Sequence, residues 1–291
     1  MPLYDAHNHL QDERFGGRQD DLVAACRAAG VVRMVVNGAA EADWPAVAEL
    51  ACRHPDLVHP SFGYHPWCVA ERTYQWEQTL IRFLDSTPGA GVGEIGLDRW
   101  KRGLDFVAQE EMFVRQLRLA AERNRPVSIH CLQAWGRLFD CLRAGPRPVC
   151  GFLLHSYGGP AEMVAPLAKL GAYFSLPGYF AHERKQHQRE AFLHVPPDRL
   201  LLETDAPDQR LPDASTLPNS APRIAGEIPA GPLACAQHPL TDPRTGQPLN
   251  HPANLTAVYA FAARLFGEPL EVLAPRIEAN FRRLFGASPT P

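Results

Sequence analysis

The chain has 291 residues, of which 45% are hydrophobic and 21% are charged, and its formal net charge is -3. This composition is typical of a folded globular protein and excludes disordered, collagen-like and coiled-coil chains. The small acidic excess argues against a broad basic surface that would bind nucleic acid through many phosphates.

Eight short apolar runs bounded by turn residues predict eight strands. In chain order they cover residues 3–9, 31–39, 58–65, 91–97, 126–132, 149–155, 172–176 and 200–205. Apolar residues at spacings of three and four predict helices at residues 20–29, 43–53, 74–85, 104–124, 135–143, 160–170, 182–193, 253–266 and 270–285. Strands that alternate with helices in this way predict an α/β fold, a (β/α)₈ TIM-like barrel, as a single domain over residues 1–291.

One long segment interrupts the alternation after the eighth strand. Residues 206–253 contain ten of the 28 prolines and little hydrophobic periodicity. They predict a long proline-rich loop, which could be an irregular surface segment or a wall over the functional site. Because loops that follow barrel strands open onto the catalytic face, we favour the wall at the barrel mouth.

The sequence has no feature of a secreted or membrane-spanning protein. Its first residues, MPLYDAHNHL, lack the basic and apolar regions of a signal peptide, and no apolar stretch approaches the roughly 20 residues of a membrane span. The seven cysteines form no C-x-x-C pair, so reduced thiols are expected. We therefore expect a cytoplasmic protein without membrane attachment, and the even mixture of charges favours a monomer.

Nitrogen and carboxylate groups recur at the predicted carboxyl ends of the strands. His7 and His9 form an H-x-H pair, and side chains two residues apart on a strand project to the same side. Glu94 lies in an apolar, glycine-rich strand, where an ionised carboxylate needs a cationic partner. His130 ends the run Val-Ser-Ile-His within strand 5, and strands 6 and 8 end in His155 and Asp205.

These six side chains would converge at the barrel mouth, where such barrels carry their chemistry. Four imidazoles and two carboxylates exceed the needs of one tetrahedral site, and a glutamate can bridge two ions. We therefore predict two divalent metal ions. One is assigned to His7, His9 and Asp205, the other to His130 and His155, with Glu94 as the bridge. The nitrogen-rich set suits Zn, Mn, Co or Ni, and Mg is also compatible.

Seven segments resemble, in order and spacing, the TatD family of metal-dependent hydrolases within the amidohydrolase superfamily. They are DAHNHL, FGYHPW, GVGEIGLD, VSIHCL, LLHSYGG, LLETDAP and NFRRLFG. The resemblance covers nearly the whole chain apart from the proline-rich segment. It implies a metal-dependent deoxyribonuclease, often a 3′ to 5′ exonuclease, with the same six residues as metal ligands. It also implies that His65 contacts the substrate.

The expected mechanism is hydrolysis of a phosphodiester by a hydroxide shared between the two ions. Asp205 is the expected general base, because it would bind one ion and lie near that water. Glu94 would join the two ions. His65 would neutralise the developing charge or assist the leaving group.

Two segments at the mouth depart from the family pattern. Residues 130–132 read His-Cys-Leu where many family members read His-Ser-Arg, and residues 206–209 read Ala-Pro-Asp-Gln in place of Ser-Pro-Tyr-Leu. These departures leave the metal ligands intact but leave the substrate open. The alternatives are a single-stranded DNA end, a small ester, lactone, amide or phosphoester, and a metal-binding module without catalysis.

Aromatic and basic residues on the predicted mouth loops favour a nucleic acid. Ring faces beside local positive charge suit a single-stranded end. The candidate substrate contacts are Trp67, Arg99, Trp100, Trp135 and Tyr157. The alternative for each aromatic ring is packing between loops.

Overall fold

A computed structural model describes residues 1–212 and 237–286 of the chain. Eight parallel strands form one sheet in which the spatial order follows the chain order. The strands are β1 (Leu3–Asn8), β2 (Val31–Asn37), β3 (Val58–Phe62), β4 (Gly91–Asp98), β5 (Val127–Leu132), β6 (Phe152–Leu154), β7 (Ala172–Pro177) and β8 (Leu200–Glu203). Most of their residues are buried, as expected for a parallel sheet covered on both faces.

The sheet curls until β1 and β8 meet. The backbone N–H of Asp205 donates to the carbonyl of His7 at 3.0 Å, and the N–H of His9 donates to the carbonyl of Ala206 at 2.8 Å. Eight parallel strands in a nearly closed cylinder, connected by helices, are a (β/α)₈ barrel. The predicted fold class is confirmed.

Helices follow the strands around the barrel. They are α1 (Gln19–Ala28), α2 (Trp44–Arg53), α3 (Trp76–Ser86), α4 (Phe106–Glu122), α5 (Trp135–Ala144), α6 (Val164–Lys169), α7 (Gln186–Phe192), α8 (Leu255–Phe266) and α9 (Leu270–Phe285). The predicted helix at 160–170 is wrong in its first turn, because Pro166 has no N–H donor and fits only near a helix start. The predicted helix at 182–193 is also too long, since 3₁₀ turns at Gly178–Ala181 and Glu183–Lys185 precede α7.

Two predicted strands are longer than the observed ones by three residues or more. The chain leaves the sheet after Phe62, and the N–H of His65 donates instead to the carbonyl of Ala39 at 2.9 Å. Val149, predicted to begin a strand, is exposed in a turn that Gly151 closes by donating to the carbonyl of Pro148 at 3.1 Å. The prediction from apolar character alone was therefore wrong about these two strand ends.

The barrel core is filled with large apolar side chains, and the fully buried ones include Tyr4, Trp44, Phe113, Phe152 and Tyr259. The six cysteines within the described residues are free, as predicted, and Cys235 lies outside them. No helix in residues 1–212 or 237–286 is long and apolar enough to cross a membrane. Of the predicted proline-rich loop, residues 213–236 lie outside the described part of the chain.

Candidate metal centre at the barrel mouth

The carboxyl ends of five strands bring the six predicted metal ligands into one cluster. His7 is the last but one residue of β1 and His9 lies just beyond the strand, and their Nε2 atoms are 3.3 Å apart. Glu94 lies within β4 and is buried. His130 lies in β5, and His155 and Asp205 follow the ends of β6 and β8. The structure thus assembles the residues that the sequence singled out.

Glu94 lies between two pairs of histidines and presents one carboxylate oxygen to each pair. Its Oε2 is 3.4 Å from His7 Nε2 and 3.2 Å from His9 Nε2. Its Oε1 is 3.2 Å from His130 Nδ1 and 2.8 Å from His155 Nε2. A carboxylate that faces two separate donor groups has the arrangement of a bridging ligand.

Asp205 belongs to the first of these two groups. Its Oδ1 lies 3.6 Å from His7 Nε2 and 3.6 Å from His9 Nε2. Its Oδ2 accepts a hydrogen bond of 2.7 Å from Gln209 Nε2. Burial raises the pKa of Asp205. One oxygen of this carboxylate is therefore held by the protein, while the other faces the cluster.

Hydrogen bonds orient the imidazoles of His9 and His130. His9 Nδ1 lies 2.8 Å from the carbonyl oxygen of Asn37, and His130 Nε2 lies 2.9 Å from Asp98 Oδ2. Because these oxygens can only accept, the ring nitrogens that contact them carry the protons. The opposite nitrogens then present lone pairs to the cluster, which is the arrangement of metal-binding histidines.

The rings of His7 and His155 are stacked, with centroids 4.0 Å apart. His7 Nδ1 lies 2.7 Å from Ser128 Oγ, and His155 Nδ1 faces Glu203 Oε1 at 3.6 Å. Glu203 is fully buried and accepts hydrogen bonds from the hydroxyls of Ser156 and Ser175. These contacts direct the Nε2 atoms of His7 and His155 at the cluster.

The donor set fits metal ions. Glu94 Oε1 is buried and has no hydrogen-bond donor among the described residues. Burial opposes ionisation, but the imidazoles of His155, His65 and His7 hold the pKa of Glu94 well below its usual range. Such a buried carboxylate needs cationic partners. The candidate ligand atoms of His7, His9 and Glu94 all lie within 4.8 Å of one another, as do those of His65, Glu94 and His130.

Asp98 and Glu203 were missed by the sequence reasoning, although each contacts or faces a predicted ligand. Glu203 lies in the apolar run Leu-Leu-Leu-Glu, so the argument that identified Glu94 could have identified it as well. Asp98 ends β4, the strand that carries Glu94. Its position at the end of a strand is the sequence signal that could have identified Asp98 as a site residue.

Two glycines allow β4 to carry Glu94 between its neighbours. Gly96 has φ +152°, and a Cβ there would lie 2.0 Å from the backbone oxygen of His130. A Cβ at Gly93 would lie 2.8 Å from Ser128 Cβ. The glycine-rich motif of the sequence therefore reflects close approach of β4 to β5.

Trp67 and Trp100 lie beside the cluster, near the predicted substrate contact His65. The ring centroid of Trp67 is 5.1 Å from that of His65, and it is 6.4 Å from that of Trp100 in a stacked arrangement. His65 Nε2 is 3.5 Å from Glu94 Oε1. Trp100 is 59% exposed.

The other three candidate contacts are placed differently. Trp135 is half-buried and packs edge-on against Tyr157, with centroids 4.7 Å apart. Tyr157 is fully buried and its hydroxyl donates to the carbonyl of Pro160 at 2.7 Å, so it offers no ring face to a substrate. The Arg99 guanidinium lies 4.0 Å from the ring centre of Phe106, at the start of α4. Tyr157 therefore packs between neighbouring elements, which was the alternative to a substrate contact.

A cleft of about 1120 Å³ opens beside the candidate metal centre. Its lining includes Ser156 and Gln209, which hydrogen-bond to Glu203 and Asp205. Described parts of the proline-rich loop also line it, among them Leu249. The neighbouring Asn250 donates its N–H to the carbonyl of Pro207 and its Nδ2 to that of Thr204. These hydrogen bonds attach this part of the loop to the residues that follow β8.

Comparison with known proteins gives consistent matches. The family described as TatD related DNase matches residues 4–286. A 3′-5′ ssDNA/RNA exonuclease TatD from Erwinia tasmaniensis is 32% identical over 206 residues, 70% of this chain and 80% of that protein. One from Pantoea ananatis is 28% identical over 286 residues, 98% of this chain and 99% of that protein.

Solved structures agree on the fold. The crystal structure of YJJV, a TatD homolog from Escherichia coli K12, has a TM-score of 0.82 at 24% identity and covers 98% of both chains. A TatD family hydrolase from Entamoeba histolytica has a TM-score of 0.80 at 16% identity, with 98% of both chains covered.

Proposed function

Because this chain belongs to the TatD-related DNase family, as its motifs indicated, we propose that it is a metal-dependent exonuclease that removes nucleotides from the 3′ end of single-stranded DNA or RNA. Membership of this family makes it a hydrolase of phosphodiester bonds. The polarity and the single-stranded substrate come from the relatives, which are named 3′-5′ ssDNA/RNA exonucleases.

The observation that carries the proposal is the position of Glu94, with one oxygen toward His7 and His9 and the other toward His130 and His155. The first group, with Asp205, would hold one divalent ion, and the second group would hold another. When bound, such ions supply an activated water molecule and polarise the phosphoryl group. Zn, Mn, Co, Ni and Mg are the candidates for this donor set.

The chain's own residues would position the substrate and move the proton. Asp205 is the proposed general base, because Gln209 holds Oδ2 and leaves Oδ1 directed at the cluster. His65 would contact the phosphate at the edge of the cluster. The stacked rings of Trp67 and Trp100 would support the terminal bases, since every base offers a face for stacking.

Release of nucleotides from end-labelled single strands tests this function. With Mg, Mn, Co or Zn, the protein should shorten a 5′-labelled strand progressively and release a 3′ label at once as a mononucleotide. Asp205→Asn should lower the rate by about a hundredfold or more, the usual contribution of a general base. Asp56→Asn is the matched control, because it makes the same change at an exposed carboxylate that pairs with Arg27.

Two outcomes would refute the proposed function. One is no nucleotide release with any of these ions, and the other is an equal rate for the wild type and Asp205→Asn. Progressive shortening of a 3′-labelled strand from its 5′ end would reverse the proposed polarity while leaving the chemistry intact.

A hydrolase of a small ester, lactone, amide or phosphoester is the second candidate. It is favoured by the altered segment after β8, where Asp208 forms an ion pair of 2.7 Å with Arg14 and both residues line the cleft. A panel of chromogenic esters and phosphodiesters separates the two functions. A turnover advantage of about a hundredfold on DNA would exclude the small substrate, and any metal-dependent turnover would exclude a non-catalytic module.

A further inference from the structure

A cationic aromatic surface follows β7 on the wall of the cleft. Tyr179 and Phe180 lie in the 3₁₀ turn directly after β7, and Lys185 lies in the next turn. Lys185 Nζ is 4.9 Å from the ring centre of Tyr179 and 5.6 Å from that of Phe180. All three residues line the cleft, whose lining also includes Gln209, the hydrogen-bond partner of Asp205. We call Tyr179 and Lys185 the β7 platform.

The charge of Lys185 is available to an anion. Within residues 1–212 and 237–286, no carboxylate forms an ion pair with it. By contrast, Asp208 on the same cleft is paired with Arg14 at 2.7 Å. A half-buried lysine that lies over two rings and has no carboxylate partner in the described part of the chain leaves a local positive potential.

The pKa of His182, which also lines the cleft, lies below its usual value. Burial lowers its pKa, and the charges of Arg184 and Lys185 lower it further, against a hydrogen bond to the backbone carbonyl of Arg210 that raises it. Arg184 also donates to the hydroxyl of Tyr179 at 2.6 Å, so it holds the ring of the platform in place.

Lysine is rare in this chain, and two of its lysines lie at the mouth. The 29 basic residues include only three lysines, Lys101, Lys169 and Lys185. Lys101 Nζ lies 4.3 Å from the ring centre of Trp67, beside the metal centre. A lysine over an aromatic ring therefore occurs after β4 and again after β7, at the same end of the barrel.

The cleft is larger than the usual pocket for a single small ligand. Its volume of about 1120 Å³ exceeds the roughly 300–1,000 Å³ of pockets that hold drug-sized ligands. Trp100 and Trp135 line it together with Tyr179. Proteins that bind single strands combine positive charge along the backbone with rings on which successive bases stack. The cleft offers both features away from the metal ligands.

We propose that the β7 platform is a subsite for the nucleotide on the 5′ side of the one being removed. Tyr179 stacks on its base and Lys185 pairs with its phosphate. This inference rests on the proposed exonuclease function and makes the substrate a polynucleotide rather than a mononucleotide. Both residues act in binding, and neither is one of the groups that contact Glu94.

Kinetics on a single-stranded hexanucleotide test the subsite. Lys185→Ala and Tyr179→Ala should each raise KM about tenfold and leave kcat within about twofold, since stacking and phosphate contacts act before the chemical step. Lys185→Arg and Tyr179→Phe should stay near the wild type, because they retain the charge and the ring. Lys169→Ala, at the exposed end of α6, is the matched control and should change neither constant.

Two further measurements separate the subsite from the chemistry. Both alanine variants should hydrolyse bis(p-nitrophenyl) phosphate, which has no second nucleotide, at the wild-type rate. Binding of a fluorescent hexanucleotide in EDTA, followed by anisotropy, reports the subsite without cleavage. Lys185→Ala should reduce the slope of log Kd against log salt by about 0.7, the value for one phosphate contact on a single strand.

The outcomes distinguish failure of the subsite from failure of the proposed function. Absent hydrolysis with intact, Lys185-dependent binding would refute the exonuclease and retain a nucleic-acid site. Equal hexanucleotide affinities and salt slopes for the wild type and Lys185→Ala would overturn the subsite whatever the activity. A parallel loss of bis(p-nitrophenyl) phosphate hydrolysis in both alanine variants would also overturn it, because the platform would then act through the chemistry or the fold.

Discussion

Asp98 connects the metal centre to the aromatic loop, so Asp98→Asn should affect both. Its Oδ2 accepts from His130 Nε2 at 2.9 Å and from Trp67 Nε1 at 2.7 Å. Its Oδ1 accepts from the backbone N–H groups of Trp100 and Lys101 at 2.7 and 2.9 Å. Burial opposes its ionisation, but these hydrogen bonds hold the pKa of Asp98 at about 2. The side chain is therefore a carboxylate at neutral pH.

Asparagine can keep only part of this set of hydrogen bonds. Its oxygen can accept from one pair of donors, but its NH₂ group then faces the other pair. Loss of the partner of a metal-binding histidine typically lowers metal affinity by about 10–100-fold. We expect a loss of this size, about 1.4–2.7 kcal/mol, for the ion on the side of His130. The ion held by His7 and His9 should be much less affected, because neither residue contacts Asp98.

Calorimetric titration of the metal-free protein with Zn²⁺ or Mn²⁺ resolves the two affinities. Asp105→Asn is the matched control, because Asp105 caps α4 by accepting from the N–H groups of Val107 and Ala108, and asparagine caps helices equally well. Two sites of wild-type affinity in Asp98→Asn would refute the reasoning, as would an equal loss at both sites.

Three further predictions concern stability. His59 is buried, and burial together with Arg33 and Arg125 lowers its pKa to about 3, below its usual value of 6.5, so its contribution is complete above pH 6.5 and declines as the pH falls toward 3. In denaturant titrations, the free energy of unfolding should therefore fall between pH 7 and pH 5 by about 2 kcal/mol less in His59→Leu than in the wild type. An equal fall in the two proteins would contradict this. Asn280→Ala should lower the free energy of unfolding by about 2–3 kcal/mol, because Asn280 Nδ2 bonds the carbonyls of Pro197 and Leu200 at 2.8 and 2.9 Å; a change below about 0.5 kcal/mol would contradict this. Metal at about 100 times its Kd should raise Tm by roughly 5–10 °C in thermal melts, and Glu94→Gln should reduce this shift; a full shift in the variant would argue against Glu94 as the bridge.

The clustering of the candidate metal ligands could be predicted because their signal is local. A histidine or carboxylate at the end of an apolar strand is visible in one segment, and all parallel strands of a barrel end at the same face. His7, Glu94 and Asp205 were identified in this way and lie together in the structure. Tyr157 had the same local signal, an aromatic ring after a strand, but neighbouring elements bury it. Burial depends on the neighbours, and a single segment does not show them.

The sequence by itself determined the barrel and the residues at the strand ends, because both follow from periodicity and residue type along the chain, and the resemblance of its seven motifs indicated the family. Only the tertiary structure decided which imidazole nitrogen faces the cluster, since the partners Asn37 and Asp98 come from neighbouring strands. It also decided that Lys185 faces the cleft. The predicted continuous helix at 182–193 would have given Lys185 an ordinary helical position, whereas two 3₁₀ turns fold it over the ring of Tyr179.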